Sequence, residues 1–184
     1  MSRFTVMRAL KYLFVSVLLL GLTSFDIPQQ EKVKWLTFEE AMELYEKEPK
    51  KLLIDLYTDW CGWCKVMDKN TYGNQVIASY INDNFYAIKF NAEQKEPVEF
   101  NGHTFEFIPN AGRKGTHSIA YAVTGNKLSG YPMTVFMDEE LRIIQPISGY
   151  LKPDQMEPII TFIGEGHYMT TKWDDFKKNH KSTL

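Results

Sequence analysis

The stretch that decides the fold is Leu52-Leu53-Ile54-Asp55-Leu56-Tyr57-Thr58-Asp59-Trp60-Cys61-Gly62-Trp63-Cys64. Its first half is a nearly continuous apolar run, which predicts a β-strand buried on both faces of a sheet. Its second half holds the only two cysteines of the chain, and a helix-compatible run begins at Lys65. Two thiols at this spacing, with no further cysteine, suit a pair that forms and breaks a single disulfide.

Length and composition predict one folded domain with short additions. The chain has 184 residues, 44% of them hydrophobic and twelve of them Phe, which is enough for a sizeable core. Three of the 21 basic residues and none of the 23 acidic residues lie in residues 1–24, so the rest is more acidic than the net charge of −2 suggests. Proteins that bind nucleic acid usually present a basic surface, whereas residues 25–184 are mildly acidic. We therefore exclude nucleic acid as a partner.

The N-terminus reads as a signal peptide over residues 1–24, followed by a linker over residues 25–34. Arg3, Arg8 and Lys11 precede a short apolar run from Tyr12 to Leu22. That run is about half the roughly 20 residues that a transmembrane helix needs, but an uncleaved N-terminal anchor, and with it membrane attachment, stays open. We therefore expect an exported protein of the periplasm or cell envelope, where the environment is oxidising.

Local signals outline alternating strands and helices. Thr37-Phe38-Glu39-Glu40 fits a capping box that opens the first helix, and Asn101-Gly102 is a strong signal for a two-residue hairpin turn. The predicted elements are helix 38–47, strand 52–58, helices 61–70 and 75–82, strand 85–91, hairpin 97–108, a short helix capped by Thr116 and ending near Gly125, strands 134–137 and 142–148, a long helix from Pro153, and a small helix near residues 171–174.

The predicted hairpin has an apolar face, and the loop after it carries basic residues; either feature could form a docking surface. The turn at Asn101-Gly102 places five side chains on one face of the hairpin, and we expect that face to be a satellite of the core: Val98, Phe100, His103, Phe105 and Phe107. Arg113, Lys114 and His117 form a small basic cluster. We expect this cluster to be a solvated loop and not a binding site.

The order of elements and two motifs resemble the thioredoxin superfamily. Residues 53–65 resemble its active-site segment, with Trp63 where thioredoxin has proline, and residues 131–134 (Tyr-Pro-Met-Thr) resemble its cis-proline loop. The resemblance runs over about residues 50–163, and the insertion at about 95–125 looks like that of exported thioredoxin-like proteins of the reductive type. It implies an α/β thioredoxin fold over residues 35–166: a central mixed β-sheet flanked by helices, with the hairpin insertion before the cis-proline strand. Residues 167–184 would form a C-terminal extension.

The resemblance assigns roles to four residues around the dithiol. Cys61 would be the nucleophile, because the N-terminus of the following helix favours a thiolate, and Cys64 would resolve the mixed disulfide. Asp55, which lies among apolar neighbours, would move the proton of Cys64, with Lys89 as its charged partner. For Lys89 an ordinary strand position is the open alternative.

Five residues are expected to bind the substrate: Trp60, Gly62, Trp63, Tyr131 and Pro132. The resemblance implies a cis peptide bond before Pro132 and pairing of the Tyr131 backbone with an extended substrate segment. A trans-proline at an edge strand is the alternative. Trp60 and Trp63 would form an apolar apron beside the dithiol; alternatively, Trp60 belongs to the core and Trp63 is merely exposed.

The function predicted is that of a thiol–disulfide oxidoreductase of the cell envelope that reduces protein disulfides as a monomer. Its partners would be protein thiol or disulfide substrates and an envelope electron donor, and the cysteine pair itself would serve as redox centre without a bound cofactor. A disulfide-forming oxidase and a non-catalytic binding or chaperone module are the alternatives. A metal site is not expected, because none of the four histidines forms an H-x₃₋₅-H pair. Lys65 stands where a haem-attachment motif needs histidine.

Overall fold

The computed structural model describes residues 31–184, so the predicted signal peptide and most of the predicted linker lie outside the described part. Strands in this range are β1 (Trp35–Leu36), β2 (Leu52–Tyr57), β3 (Tyr86–Asn91), β4 (Val98–Phe100), β5 (His103–Phe105), β6 (Phe107–Ile108), β7 (Thr116–His117), β8 (Met133–Met137) and β9 (Ile143–Ser148). The α-helices are α1 (Phe38–Tyr45), α2 (Gly62–Met67), α3 (Gln75–Asn84), α4 (Ser118–Val123), α5 (Pro153–Gly164) and α6 (Trp173–Asn179). None of these helices combines the length and apolarity needed to cross a membrane.

A five-stranded mixed sheet forms the centre of the molecule, in the order β1-β3-β2-β8-β9. Strands β1, β3 and β2 are parallel, β8 runs antiparallel to β2, and β9 runs antiparallel to β8. The register places Asp55 of β2 between Lys89 of β3 and Thr134 of β8. The predicted α/β fold with a mixed sheet and flanking helices is confirmed.

Each face of the sheet carries its own hydrophobic core, because successive side chains of a strand point to opposite faces. Leu52, Ile54 and Leu56 belong to the core formed with α1, α4 and the hairpin β4–β5. Leu53 belongs to the other core, formed with α2, α3 and α5. By the same alternation, Asp55 lies on the face of Leu53, which is the face covered by the helix that follows the cysteines.

The predicted hairpin is present, and half of its apolar face is core. Asn101 and Gly102 both have positive φ, 49° and 72°, as a type I′ turn requires. Val98 and Phe100 are buried, and the Phe100 ring packs 5.0 Å from that of Phe38 in α1. Phe105 packs partly buried against the same core, whereas His103 is exposed, contrary to its predicted core position.

Phe107 leaves the hairpin, which corrects its predicted place on the hairpin face. It lies in β6, which pairs with β7 instead. A Cβ at Gly115 would come within 2.0 Å of the Phe107 ring, and the φ of Gly115 is +91°. Glycine is therefore required where this loop closes over Phe107.

Two local predictions are corrected around the helix ends. The helix predicted over residues 61–70 is α-helical only over Gly62–Met67. One π-helical turn, Asp68–Tyr72, follows it directly. Thr116 does not cap α4, because it pairs with Ile108 in the β6–β7 ladder. The cap is His117, whose Nδ1 accepts the N–H of Ile119 at 3.3 Å.

Residues after α5 pack back onto it. The rings of Trp173 and Phe176 in α6 lie 5.2 and 5.1 Å from the ring of Phe162 in α5. Further along, the buried carboxylate of Glu157 accepts the N–H of Thr183 at 2.6 Å. Pro153 occupies the first turn of α5, as predicted.

Candidate functional site

The two cysteines form a disulfide at the start of α2. Their sulfur atoms are 2.09 Å apart, and both residues are buried, with 4% of Cys61 and 3% of Cys64 exposed. Cys61 is the N-cap of α2: its Sγ accepts the N–H of Cys64 at 3.1 Å, while its own N–H donates to the carbonyl of Thr58 at 3.0 Å. Backbone N–H groups at a helix N-terminus stabilise a thiolate, so Cys61, and not Cys64, has the position that suits a nucleophilic thiol.

Asp55 is a buried carboxylate in the central strand. Its Oδ2 accepts a hydrogen bond from Lys89 Nζ at 2.8 Å, while its Oδ1 has no hydrogen-bond partner within residues 31–184. Burial raises the pKa of Asp55 to about 6; the charge and hydrogen bond of Lys89 oppose this rise, and the charge of Asp68 adds to it. A carboxyl group with this pKa can take up or release a proton near neutral pH.

Lys89 bridges two carboxylates, Asp55 and Asp68. Burial alone would lower the pKa of Lys89, but the charges and hydrogen bonds of the two aspartates outweigh burial and raise it. The ammonium group therefore stays charged. The structure brings Lys89 to Asp55, as the resemblance implied.

Three aromatic rings surround the Lys89 ammonium group. Its Nζ lies 5.0 Å from the ring centre of Trp35, 4.9 Å from that of Tyr57 and 5.9 Å from that of Tyr72. Cation–π contacts of this length are attractive and fix the position of a lysine that is otherwise flexible. Lys89 is thus held beside Asp55 by its surroundings as well as by its charge.

Asp68 was missed by the sequence reasoning. It follows Cys64 by four residues, and residues four apart lie on the same face of a helix. An acidic residue at this offset from the second cysteine was the available signal. Its side chain is 38% exposed, against 2% for Asp55, so Asp68 connects the buried pair with solvent.

The Tyr131–Pro132 peptide bond is cis, as predicted. The carbonyl of Pro132 accepts the N–H of Gly149 at 2.8 Å, which ties this loop to the end of β9. Within residues 31–184 no backbone hydrogen bond is made by Tyr131 itself. Its N–H and C=O are therefore available to an extended segment.

The predicted aromatic residues lie at the surface beside the cysteines. Trp60 is 44% exposed and Trp63 is 62% exposed, so the alternative that Trp60 belongs to the core is wrong. Trp60 donates from Nε1 to Glu93 Oε1 at 2.8 Å and meets the Tyr131 ring edge to face at 6.2 Å. Gly62 is exposed, and a Cβ there would meet nothing within 4 Å.

A cavity of about 290 Å³ lies next to the dithiol motif. It is lined by Trp63, Tyr131, Pro132, Gly149 and Tyr150. The rings of Trp63 and Tyr150 are stacked, 5.5 Å apart and 19° from parallel. Gly149 and Tyr150 were not identified from the sequence, although the antiparallel hairpin of β8 and β9 places the end of β9 beside Pro132.

The expected basic loop is not a cluster. Arg113 lies over the Trp60 ring at 5.7 Å, whereas His117 is fully buried, with its Nε2 3.1 Å from the carbonyl of Glu96. Burial lowers the pKa of His117, because the charged form is disfavoured away from water. In residues 31–184 no three His, Cys, Asp or Glu side chains are grouped as metal ligands.

A mixed sheet with flanking helices, a cysteine pair at a helix N-terminus and an adjacent cis-proline loop define a member of the thioredoxin superfamily. Within it, the chain belongs to the family described as Thioredox_DsbH, a protein of unknown function (DUF255), whose model matches residues 26–183.

The chain is also similar to parts of two longer proteins. The chain is 27% identical over 137 residues to Uncharacterized protein B0495.5 of Caenorhabditis elegans, matching 73% of this chain and 16% of that protein. It is 29% identical over 120 residues to Thiol:disulfide interchange protein DsbD of Pseudoalteromonas atlantica, matching 64% of this chain and 19% of DsbD. The chain thus spans less than a fifth of either protein.

A solved structure supports the fold. A thioredoxin-fold protein from Helicobacter pylori superposes with a TM-score of 0.55 at 21% identity. The superposition covers 71% of this chain and 79% of that chain.

Proposed function

We propose that this protein is a thiol–disulfide oxidoreductase that reduces protein disulfides through a cycle of Cys61 and Cys64. The observation that carries the proposal is the Cys61–Cys64 disulfide at the N-terminus of α2. A second support is the buried Asp55–Lys89 pair on the face of the sheet that α2 covers. A four-residue disulfide loop contributes little to stability, so a purely structural role explains it poorly.

The proposed reaction consists of two successive thiol–disulfide exchanges. In the reduced protein the Cys61 thiolate attacks one sulfur of a substrate disulfide, forms a mixed disulfide and releases the first substrate thiolate, which takes a proton from water. Cys64 then gives its proton to Asp55 and attacks Cys61 Sγ, which releases the second substrate thiolate. Two electrons pass to the substrate, and the protein is left with its Cys61–Cys64 disulfide.

Asp55 is the proposed proton acceptor for Cys64. Its pKa of about 6 keeps it ionised for part of the neutral range yet basic enough to take a proton. Lys89 would keep that pKa from rising further, and Asp68 would pass protons between the buried pair and solvent. Lys89 and Asp68 are positioning residues in this scheme, because they act through Asp55.

The substrate side of the proposal uses the surface around the dithiol. Trp60, Gly62 and Trp63 would face the partner, while the Tyr131 backbone would pair with an extended substrate segment next to Pro132. The partners are protein disulfides and a dithiol donor of the envelope that restores the reduced state. No bound cofactor is needed, because the cysteine pair carries the electrons, and a monomer suffices.

Cell-envelope location and the reductive direction rest on sequence. Arg3, Arg8, Lys11 and the apolar run after them support export by residues 1–24, and the insertion at about 95–125 resembles exported proteins of the reductive type. The redox domain would be residues 35–166, joined to the signal by the linker and followed by the extension 167–184.

Insulin reduction with a dithiol donor tests the activity. Wild-type protein should accelerate insulin precipitation, and Cys61→Ser should remain at the background rate. Equal, background rates for both proteins would contradict the enzyme and favour a thioredoxin-fold module without catalysis.

A further inference from the structure

The cavity next to the dithiol motif has the form of a side-chain pocket. Its volume of about 290 Å³ lies just below the range of about 300–1,000 Å³ that small-molecule sites occupy. It is open to solvent along the exposed Trp63. A single large side chain is therefore a better match for its size than a free ligand.

The lining determines the chemistry of the occupant. Three of the five lining residues are aromatic, the other two are Pro132 and Gly149, and none carries a charge. The stacked rings of Trp63 and Tyr150 form one wall. Placing an apolar side chain here removes its surface from water, whereas a charged side chain would lose hydration without gaining a partner.

The position of the cavity determines what delivers that side chain. Trp63 lies between the two cysteines, and Tyr131 makes no backbone hydrogen bond within residues 31–184. In strand addition the main chain supplies affinity and pockets for individual side chains supply specificity. A substrate strand advances by about 3.3 Å per residue, so a side chain in this cavity belongs to a residue close to the reacting cysteine.

We propose that the cavity walled by Trp63 and Tyr150 selects disulfide substrates that carry a large apolar side chain directly before or directly after the reacting cysteine. This inference rests on the proposed thiol–disulfide activity and names its substrate class. Tyr150 is the specificity-determining residue, because its ring, stacked on that of Trp63, lines the cavity while the residue itself lies outside the dithiol motif.

The test uses disulfide-linked dimers of a short peptide, Gly-X-Cys-Gly, and of its mirror order, Gly-Cys-X-Gly, with X as Phe, Leu, Ala, Lys or Glu. Pre-reduced protein reacts in a single turnover, in which the protein dithiol becomes a disulfide and one peptide disulfide becomes two thiols. Chromatography of the released peptide gives the rate constant. In at least one order, wild-type protein should prefer Phe to Ala by about tenfold, as apolar pockets typically do.

Variants of Tyr150 and Trp63 test whether the preference for Phe over Ala arises in the cavity. Tyr150→Ala should lower the Phe-to-Ala ratio to about two, and Tyr150→Phe should keep it, since the ring stack and apolar wall remain. Trp63→Ala should also lower the ratio, and because the Trp63 side chain is largely exposed, this variant should still fold. A ratio near one in wild-type protein in both orders, or an unchanged ratio in Tyr150→Ala and Trp63→Ala, would overturn the pocket.

The outcomes separate this inference from the activity on which it rests. Wild-type protein that reduces all dimers equally, faster than Cys61→Ser does, retains the oxidoreductase and loses only the selectivity. Wild-type protein that reduces no dimer faster than Cys61→Ser overturns both.

Discussion

The two sides of the disulfide differ sharply in chemistry. On the inner side, which is the face of the sheet that α2 covers, Asp55, Lys89 and Asp68 form a chain of charges from the sheet to the surface, with Asp55 almost fully buried. On the outer side, Trp63 and Tyr150 line an uncharged cavity with the cis-proline loop. In the proposed function the inner side handles protons and the outer side contacts substrate, so mutations on the two sides should have separable effects.

The largest effect should come from the sulfur atoms that join the two sides. Cys61→Ser should lower the rate of disulfide reduction by at least about 10³-fold, as loss of a nucleophile does in other enzymes. Cys64→Ser should instead accumulate mixed disulfides on Cys61, because the resolving thiol is missing. Non-reducing gel electrophoresis and mass spectrometry measure these adducts. Adducts on Cys64 in Cys61→Ser would reverse the assignment of the two thiols.

Removing the inner carboxylate should slow resolution next most strongly. Asp55→Asn keeps the shape and loses the base, so release of the mixed disulfide should slow by about 10²-fold. In wild-type protein the release rate should rise with pH through about 6, as Asp55 ionises. Stopped-flow measurements from pH 5 to pH 8 test this step. If Asp55→Asn showed the same rise in release rate near pH 6, the titrating group would be a residue other than Asp55.

The buried Asp55 carboxylate should lower the free energy of unfolding at neutral pH, where it is ionised. The folded-state pKa of Asp55, about 6, lies above the ordinary value of 3.8, so the unfolded chain releases this proton at lower pH. The unfolding free energy of wild-type protein should therefore fall relative to Asp55→Asn as pH rises from about 4 to 6, by on the order of 1–3 kcal/mol. Urea unfolding of both oxidised proteins measures the difference. A wild-type free energy of unfolding that rises relative to that of Asp55→Asn between pH 4 and pH 6 would contradict the raised pKa.

The smallest effects should come from the two positioning residues, and in opposite directions. Lys89→Met removes the charge that lowers the pKa of Asp55, so the kinetic midpoint should rise by about one pH unit. Asp68→Asn removes a charge that raises this pKa, so the midpoint should fall by less. Shifts in the same direction for both variants would contradict the charge arrangement on the inner side.

Sequence predicted the parts of the site that are contiguous in the chain or have a fixed motif. The cysteine pair and the hairpin at Asn101-Gly102 follow from local patterns, whereas the cis bond before Pro132 was implied by the resemblance. Lys89 required the resemblance, because only the register of β2 and β3 brings it to Asp55.

The residues that sequence missed depend on packing between distant elements. Tyr150 reaches Trp63 only because β9 ends beside the cis-proline loop. Asp68 shares a helix face with Cys64, but its role follows from Lys89, which lies on another strand. His117 was expected in a solvated loop, but its buried ring caps α4 through Nδ1 and lies 3.1 Å from the carbonyl of Glu96 through Nε2. The contact with Glu96 joins segments 21 residues apart, which the local sequence does not show.

The central claim, that Cys61 and Cys64 form a redox-active pair that gives electrons, is tested most directly by its reduction potential. The protein would be equilibrated in buffers of reduced and oxidised dithiothreitol and glutathione, and the thiols trapped and counted by mass spectrometry. We predict a two-electron reduction potential of about −270 mV, which suits a reductase. A potential of about −120 mV would contradict the reductive direction. A potential below about −300 mV, which is typical of structural disulfides, would contradict the redox-active pair itself.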